Sequence, residues 1–417
     1  MKRFFLAALL AVVSATLSAQ SFYLCSGGNV ETASQLSFTN GGATLNASTQ
    51  VTAIDSITLH VPALRLVGGD LSLLPQYEEH GANYQDINGQ KITDMLSFLK
   101  QQGWNSVRVR LFVDPSNASS QDKGQGVCQS LDYVKAFGKR VKDAGLLLMV
   151  DFHYSDSWAD PAKQWIPNGW TSLSEEQLKA QVYTYTKDCL EQLNAAGAAP
   201  DIIQTGNEIS YGMLWGAQGN KTYYCTSAAS ASVWNRFTTL LKQAGKACRE
   251  VCPRAKIVLH TERVAQPDVL CNFYQQMKTA AVDYDVIGLS YYSYYHGNLS
   301  VLNSALTQLE SSFPDKQIMI VEAGYYHKWQ PTGNGIIDLS STYPITDAGQ
   351  KAFTNALIAT LKNHTNVYGL FWWWPEANEY GLNWDTQRVT DAWYNAGLFD
   401  NETGRALPAL YELQNFR

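Results

Sequence analysis

The sequence predicts a (β/α)₈ TIM barrel, an α/β fold, preceded by a short β-rich segment. Three observations lead there. Apolar runs of strand length recur eight times from residue 65 onward, longer stretches of helical period lie between them, and polar or aromatic residues crowd the C-terminal end of each run. Strands alternating with helices imply parallel pairing through right-handed crossovers. Eight such units imply closure into a barrel rather than an open doubly wound sheet. No Gly-x-Gly-x-x-Gly opens a helix after the first strand, so a dinucleotide-binding fold has no support. A chain of 417 residues accommodates one such barrel and an appendage.

The expected strands are 65–70, 107–113, 146–152, 202–205, 256–260, 286–291, 318–322 and 367–373. They read as continuous apolar runs, as parallel strands covered on both faces do. Expected helices lie at 93–101, 131–143, 175–194, 229–251, 302–312 and 350–361, with a short last one at 406–413. Residues 63–417 are therefore assigned to the barrel. Residues 20–62 are rich in Gly, Ser and Thr around short apolar pieces, the pattern of a few small strands and turns.

Residues 1–19 read as a cleavable signal peptide: Lys2 and Arg3 precede an apolar stretch from Phe4 to Val13, then small residues. That stretch is too short to span a membrane. No lipobox precedes Cys25, which argues against a lipid anchor. The expected location is thus secreted, periplasmic or at the cell surface. Seven cysteines in that setting leave at least one unpaired, and none has metal-site spacing. A net charge of −6 without a basic cluster excludes nucleic acid as a natural partner. Aromatic residues make up 12% of the chain, with 12 Trp and 23 Tyr, and their flat apolar faces suit the C–H faces of sugar rings.

In a (β/α)₈ barrel, functional groups gather at the C-terminal strand ends. Here the first strand ends at Asp70 and the second carries Arg108 and Arg110. The third ends in Asp151-Phe152-His153-Tyr154, the fourth in Asn207-Glu208, the fifth at His260 and the sixth in Ser290-Tyr291-Tyr292. The seventh ends in Glu322 and the eighth in Trp372-Trp373-Trp374. Two glutamates on strands four and seven fit paired-carboxylate glycoside hydrolysis. Carboxyl groups roughly 5–5.5 Å apart give retention, and roughly 6.5–9.5 Å apart give inversion. Arg108 and Arg110 share one strand face, which makes Arg108 the cation expected beside a carboxylate nucleophile. Arg110 could instead pair structurally with Asp70 or Asp114.

Several blocks resemble the endo-β-1,4-galactanases of glycoside hydrolase family 53, within the clan of retaining (β/α)₈ glycosidases. They are Asn105-Ser106-Val107-Arg108-Val109-Arg110, the long run from Asp151 through Trp158 to Pro161, and Gly206-Asn207-Glu208-Ile209. Asp285 to Tyr292, His296-Gly297, Leu398-Phe399-Asp400 and Ala406-Leu407-Pro408 complete the likeness. The resemblance implies Glu208 as acid/base and Glu322 as nucleophile, and Asn207 as the group that holds the sugar 2-hydroxyl. It also implies Tyr292 as a donor to the nucleophile and Asp151, His153 and His260 as sugar contacts. Trp373 is the expected platform under the sugar, and Trp158 the lining of a neighbouring subsite. The polysaccharide partner implied is β-1,4-galactan, cut without a cofactor by a monomer.

Two departures from the family pattern stand out. Trp-Glu-Pro after the eighth strand is here Trp373-Trp374-Pro375-Glu376, so the Glu is displaced. The loop at 329–335, where some relatives carry a calcium site, has too few carboxylates for a strong cage, so no metal is expected. The alternatives are another clan member, such as a β-mannanase or β-glucanase, or a barrel that binds polysaccharide without cutting it.

Overall fold

The computed structural model describes residues 65–417 except 331, 332, 334 and 392, and six strand segments between residues 21 and 60. The expected signal peptide at 1–19 and the turns between those segments lie outside the described residues. The chain divides into two compact units, Met1–Leu64 and Arg65–Arg417. In the first, Ser21–Ser26 pairs antiparallel with Asn29–Ala33 and Ser56–His60, and a second antiparallel sheet joins Leu36–Thr39, Gly42–Leu45 and Thr49–Val51.

The second unit is a closed eight-stranded parallel barrel. Its strands are β1 (Leu66–Asp70), β2 (Ser106–Leu111), β3 (Leu147–Phe152), β4 (Ile202–Thr205), β5 (Lys256–Thr261), β6 (Val286–Tyr292), β7 (Gln317–Gly324) and β8 (Val367–Trp373). Each pairs with its neighbours in sequence, and β8 closes on β1. Alternation sorts the side chains. Val107, Leu148, Ile203, Leu259 and Ile287 point outward under the helices, while Leu66, Met149, Ile202, Val258, Val286 and Met319 fill the floor of the lumen. Above that floor the lumen turns polar, with Asp70, Arg108, Asp151, Gln204, His260 and Ser290 all buried.

Two local features set the shape of the barrel. At Gly68 an added Cβ would lie 2.3 Å from the Ser106 carbonyl oxygen, so β1 and β2 approach this closely only because that residue lacks a side chain. In β7 the register slips between Ile320 and Glu322 against both neighbouring strands. This bulge leaves Val321 in the lumen and turns the next residue, Glu322, into the mouth.

The outer helices follow apolar stripes and local caps. Glu175–Ala195 starts in a reciprocal capping box between Ser174 and Gln177. Four described helices are absent from the sequence expectation: Leu74–His80, Ser120–Gly124, the single turn Ser293–His296, and Pro267–Thr279. The last is the crossover between β5 and β6, which starts with Pro in its first turn and buries Leu270, Phe273, Tyr274 and Met277. Cys128, Cys189, Cys225, Cys248, Cys252 and Cys271 carry free thiols, and no described helix is long and apolar enough to cross a membrane.

Candidate active site

The mouth of the barrel is built around Arg108. Its guanidinium donates from Nη1 to Asp70 Oδ2 at 2.8 Å and from Nη2 to Asp151 Oδ2 at 2.8 Å and Asn207 Oδ1 at 3.0 Å. Nε donates to Gln204 Oε1 at 3.3 Å. Nη2 also lies 3.0 Å from Glu322 Oε1. That contact is an ion pair rather than a hydrogen bond, because the Nη2 hydrogens point at Asp151 and Asn207. One buried cation thus ties β1, β3, β4 and β7 to β2, and a planar five-donor group is the side chain able to do so. Arg110 also binds Asp70, through Nη1 at 2.7 Å, and sits within 4.8–5.3 Å of the ring centres of Trp158, Trp373 and Trp374.

Glu208 follows β4 through a sharp turn. Gly206 has φ +98°, and Glu208 itself adopts φ +46°, a left-handed conformation costly for a residue with a side chain. The turn is held by Ile209 N donating to the His260 carbonyl at 2.9 Å and by Asn207 Nδ2 donating to the Ala159 carbonyl at 2.8 Å. Ser290 Oγ lies 2.7 Å from Glu208 Oε1 and 3.4 Å from Glu322 Oε2, so one hydroxyl of β6 stands between the two carboxyl groups. Tyr292 Oη donates to Glu322 Oε2 at 2.9 Å.

The two glutamates differ in electrostatic setting. Burial above all, then Glu322 and Glu262, hold the Glu208 carboxyl well above the usual carboxylate range. Burial raises Glu322 too, but the Arg108 guanidinium and the Tyr292 hydroxyl oppose it, so Glu322 is the first of the pair to ionise. His260, in contact with Gln204, Asn207 and Ser290, is held neutral by burial and by Arg108. His153 Nδ1 accepts from Ala159 N at 3.2 Å, which leaves the proton on Nε2, 3.0 Å from Asp151 Oδ2.

These groups face a cavity of about 450 Å³. Asn207, Glu208, Tyr292, Glu322, Trp158 and Trp373 line it. Trp373 and Trp374 are stacked at 5.2 Å, and Trp158 tilts against both. Arg108, Asp151, His153 and His260 do not line the cavity themselves; they lie beneath it, against the carboxylates or their neighbours. The displaced Glu376 does not line the cavity. It is fully buried, its Oε1 accepts from Leu73 N at 2.9 Å, and burial pushes its carboxyl up to about 8.

Sequence reasoning left out several residues of this site. Gln204 shares the lumen parity of Ile202, so alternation identifies it. Ser290 has the same signal on β6 but no chemical signature of its own. Glu262 and Trp393 also line the cavity from loops and Tyr295 from the single helical turn Ser293–His296, segments too short or irregular for periodicity to point to them.

A closed (β/α)₈ barrel with paired carboxylates at the ends of strands four and seven defines a glycoside hydrolase of the barrel type. More narrowly, the chain belongs to glycosyl hydrolase family 53, whose family model matches residues 66–413. A solved family 53 catalytic domain from Ignisphaera aggregans shares 34% identity and superposes with a TM-score of 0.73, covering 85% of this chain and 96% of that one. The arabinogalactan endo-β-1,4-galactanase of Cellvibrio japonicus (strain Ueda107) is 32% identical over 362 residues, 82% of this chain and 89% of that protein. The endo-β-1,4-galactanase of Bacillus subtilis (strain 168) is 29% identical over 383 residues, 83% and 85% respectively.

Proposed function

We propose that this chain is a secreted endo-β-1,4-galactanase that hydrolyses the β-1,4-galactan of type I arabinogalactan and pectin side chains with net retention. The observation that carries the stereochemistry is Ser290: a hydroxyl within reach of both carboxyl groups limits the gap between the oxygens it meets to about 6 Å. That separation favours direct attack by a carboxylate over the insertion of a water.

In the first step Glu322 attacks the anomeric carbon while Glu208 gives its proton to the glycosidic oxygen, releasing the leaving sugar as an alcohol. In the second, Glu208, now a carboxylate, takes a proton from water as the water oxygen displaces Glu322 from the same carbon. Burial and neighbouring carboxylates suit Glu208 to the acid role, and Arg108 and Tyr292 suit Glu322 to the nucleophile role. Asn207 is assigned the sugar 2-hydroxyl and Trp373 the stacking face, with Trp158 beside it. Asp151, His153 and His260 position these groups from beneath. Residues 63–417 act as a monomeric catalytic domain without a cofactor, outside the cytoplasm once residues 1–19 are removed, with 20–62 as a separate β-rich segment.

The test is product analysis on linear β-1,4-galactan, with mannan and β-glucan alongside, following the anomeric signals by NMR. Short galacto-oligosaccharides appearing first as the β-anomer support the reading, and an α-anomer sinks retention. Cleavage of mannan or glucan instead moves the substrate assignment within the clan. Binding to galactan without cleavage would favour a carbohydrate-binding barrel.

A further inference from the structure

The cavity contains a third carboxyl group that neither attacks nor gives a proton in the two-glutamate chemistry. Glu262 follows β5 directly and is 8% exposed. Its Oε1 is fully engaged: Ser210 Oγ donates to it, and Arg263 Nε lies 3.1 Å away. Its Oε2 is buried and meets no hydrogen-bond partner in the protein, while the residue lines the cavity beside Glu208. Anchoring one oxygen so firmly fixes where the other points, and a buried polar atom without a partner is costly to keep. Such an arrangement is expected of a group that waits for a ligand hydroxyl.

The position of Glu262 says which hydroxyl. β5 pairs directly with β4, so Glu262 stands beside the expected acid. The tryptophan wall rises from the other side, on the loop after β3 and the end of β8, with Arg110 of β2 beneath it. A chain with one ring on Trp373 and its anomeric carbon over Glu322 passes Glu208 at the glycosidic oxygen, and its next ring reaches β5.

We propose that Glu262 is a specificity-determining residue on the leaving-group side, where its free carboxyl oxygen hydrogen-bonds a hydroxyl of the sugar that departs. This rests on the assignment of Glu208 as acid and Glu322 as nucleophile. A leaving sugar that presents no hydroxyl there leaves Oε2 unpaired at the transition state and is cut more slowly, as expected of a site built around a hydroxyl.

The experiment compares two substrates that both need protonation by Glu208 but differ in the leaving group: β-1,4-galactotriose, which releases a sugar, and methyl β-1,4-galactobioside, which releases methanol. In Glu262→Ala, kcat/KM for galactotriose falls about ten- to a hundredfold, the worth of one hydrogen bond to a charged or buried group. For the methyl glycoside the fall is several times smaller, because it reports only the loss of the Glu262 charge that helps hold the Glu208 proton. Glu262→Gln, which keeps the volume of the side chain, shows the same split in smaller measure and guards against a folding defect in the Ala variant. Equal losses on both substrates overturn the proposal, because weakening Glu208 or the fold would produce them. Unchanged cleavage of galactotriose overturns it as well. A wild-type protein inert on galactan, galactotriose and the methyl glycoside would instead remove the underlying assignment of the activity.

Discussion

Arg108 meets Glu322 at 3.0 Å through the same nitrogen that it gives to Asp151 and Asn207. The cation therefore stabilises the carboxylate by charge while spending its hydrogen bonds elsewhere. Arg108→Lys loses the fork that reaches four strands at once, and kcat/KM on galactan is expected to fall at least about a hundredfold. The pH profile gives the sign. The ionised form of Glu322 is the active one, Arg108 is the largest influence opposing its burial, and removing the charge, as in Arg108→Gln, raises the pKa. The acid limb of kcat/KM then moves to higher pH. An unmoved acid limb would separate Arg108 from the nucleophile.

Glu208→Ala removes the proton donor and not the nucleophile. Cleavage of galactan should fall by about 10²–10⁴. A nitrophenyl galactobioside, whose leaving group needs no proton, should lose far less in the glycosylation step. Added azide should restore turnover and yield the β-glycosyl azide, detectable by NMR. Azide rescue of Glu322→Ala with the same anomer would reverse the two assignments.

Glu376 makes stability depend on pH. Its folded carboxyl titrates at about 8, against about 4.3 in an unfolded chain. The folded state therefore holds a proton that the unfolded state releases, and stability from this group is intact below about pH 4 and lost as pH rises towards 8. Glu376→Gln keeps the oxygen that accepts from Leu73 N and has no charge to bury. Its Tm should exceed that of the wild type by a margin that widens from pH 5 to pH 8. A margin that narrows over that range would contradict the assignment.

Gly68→Ala tests the close approach of β1 and β2. The new Cβ meets backbone, the Ser106 carbonyl oxygen at 2.3 Å, and cannot be accommodated by a side-chain shift. Denaturant unfolding should show a loss of about 1–3 kcal/mol or more.

Much of this architecture is legible in the chain because barrel strands are apolar until they reach the mouth. The runs ending at Asp70, Glu208, Glu322 and Trp373 announce both the strands and the end at which chemistry gathers. The helix Pro267–Thr279 was equally available, since Leu270, Phe273, Tyr274 and Met277 keep helical spacing behind a first-turn proline. Other features have no local signal. Strict alternation sends Glu322 to the face opposite Val321, and only the slipped pairing of β7 with its neighbours brings both inward. The bridge at Ser290 joins residues 82 and 32 positions away in sequence. Glu262 lies beyond the strand end at His260 that the apolar pattern suggests, in a stretch without periodicity.

The left-handed backbone of Glu208 has an evolutionary consequence. A side chain at φ +46° is a standing cost of about 1–3 kcal/mol that glycine would largely relieve. While galactan cleavage is under selection, that cost is tolerated for the sake of the proton donor. In a lineage where the barrel only gripped polysaccharide, nothing would oppose drift to glycine or asparagine at this position, and the stability gained would favour it. Descendants of such a barrel would betray their retirement here before the rest of the mouth had decayed.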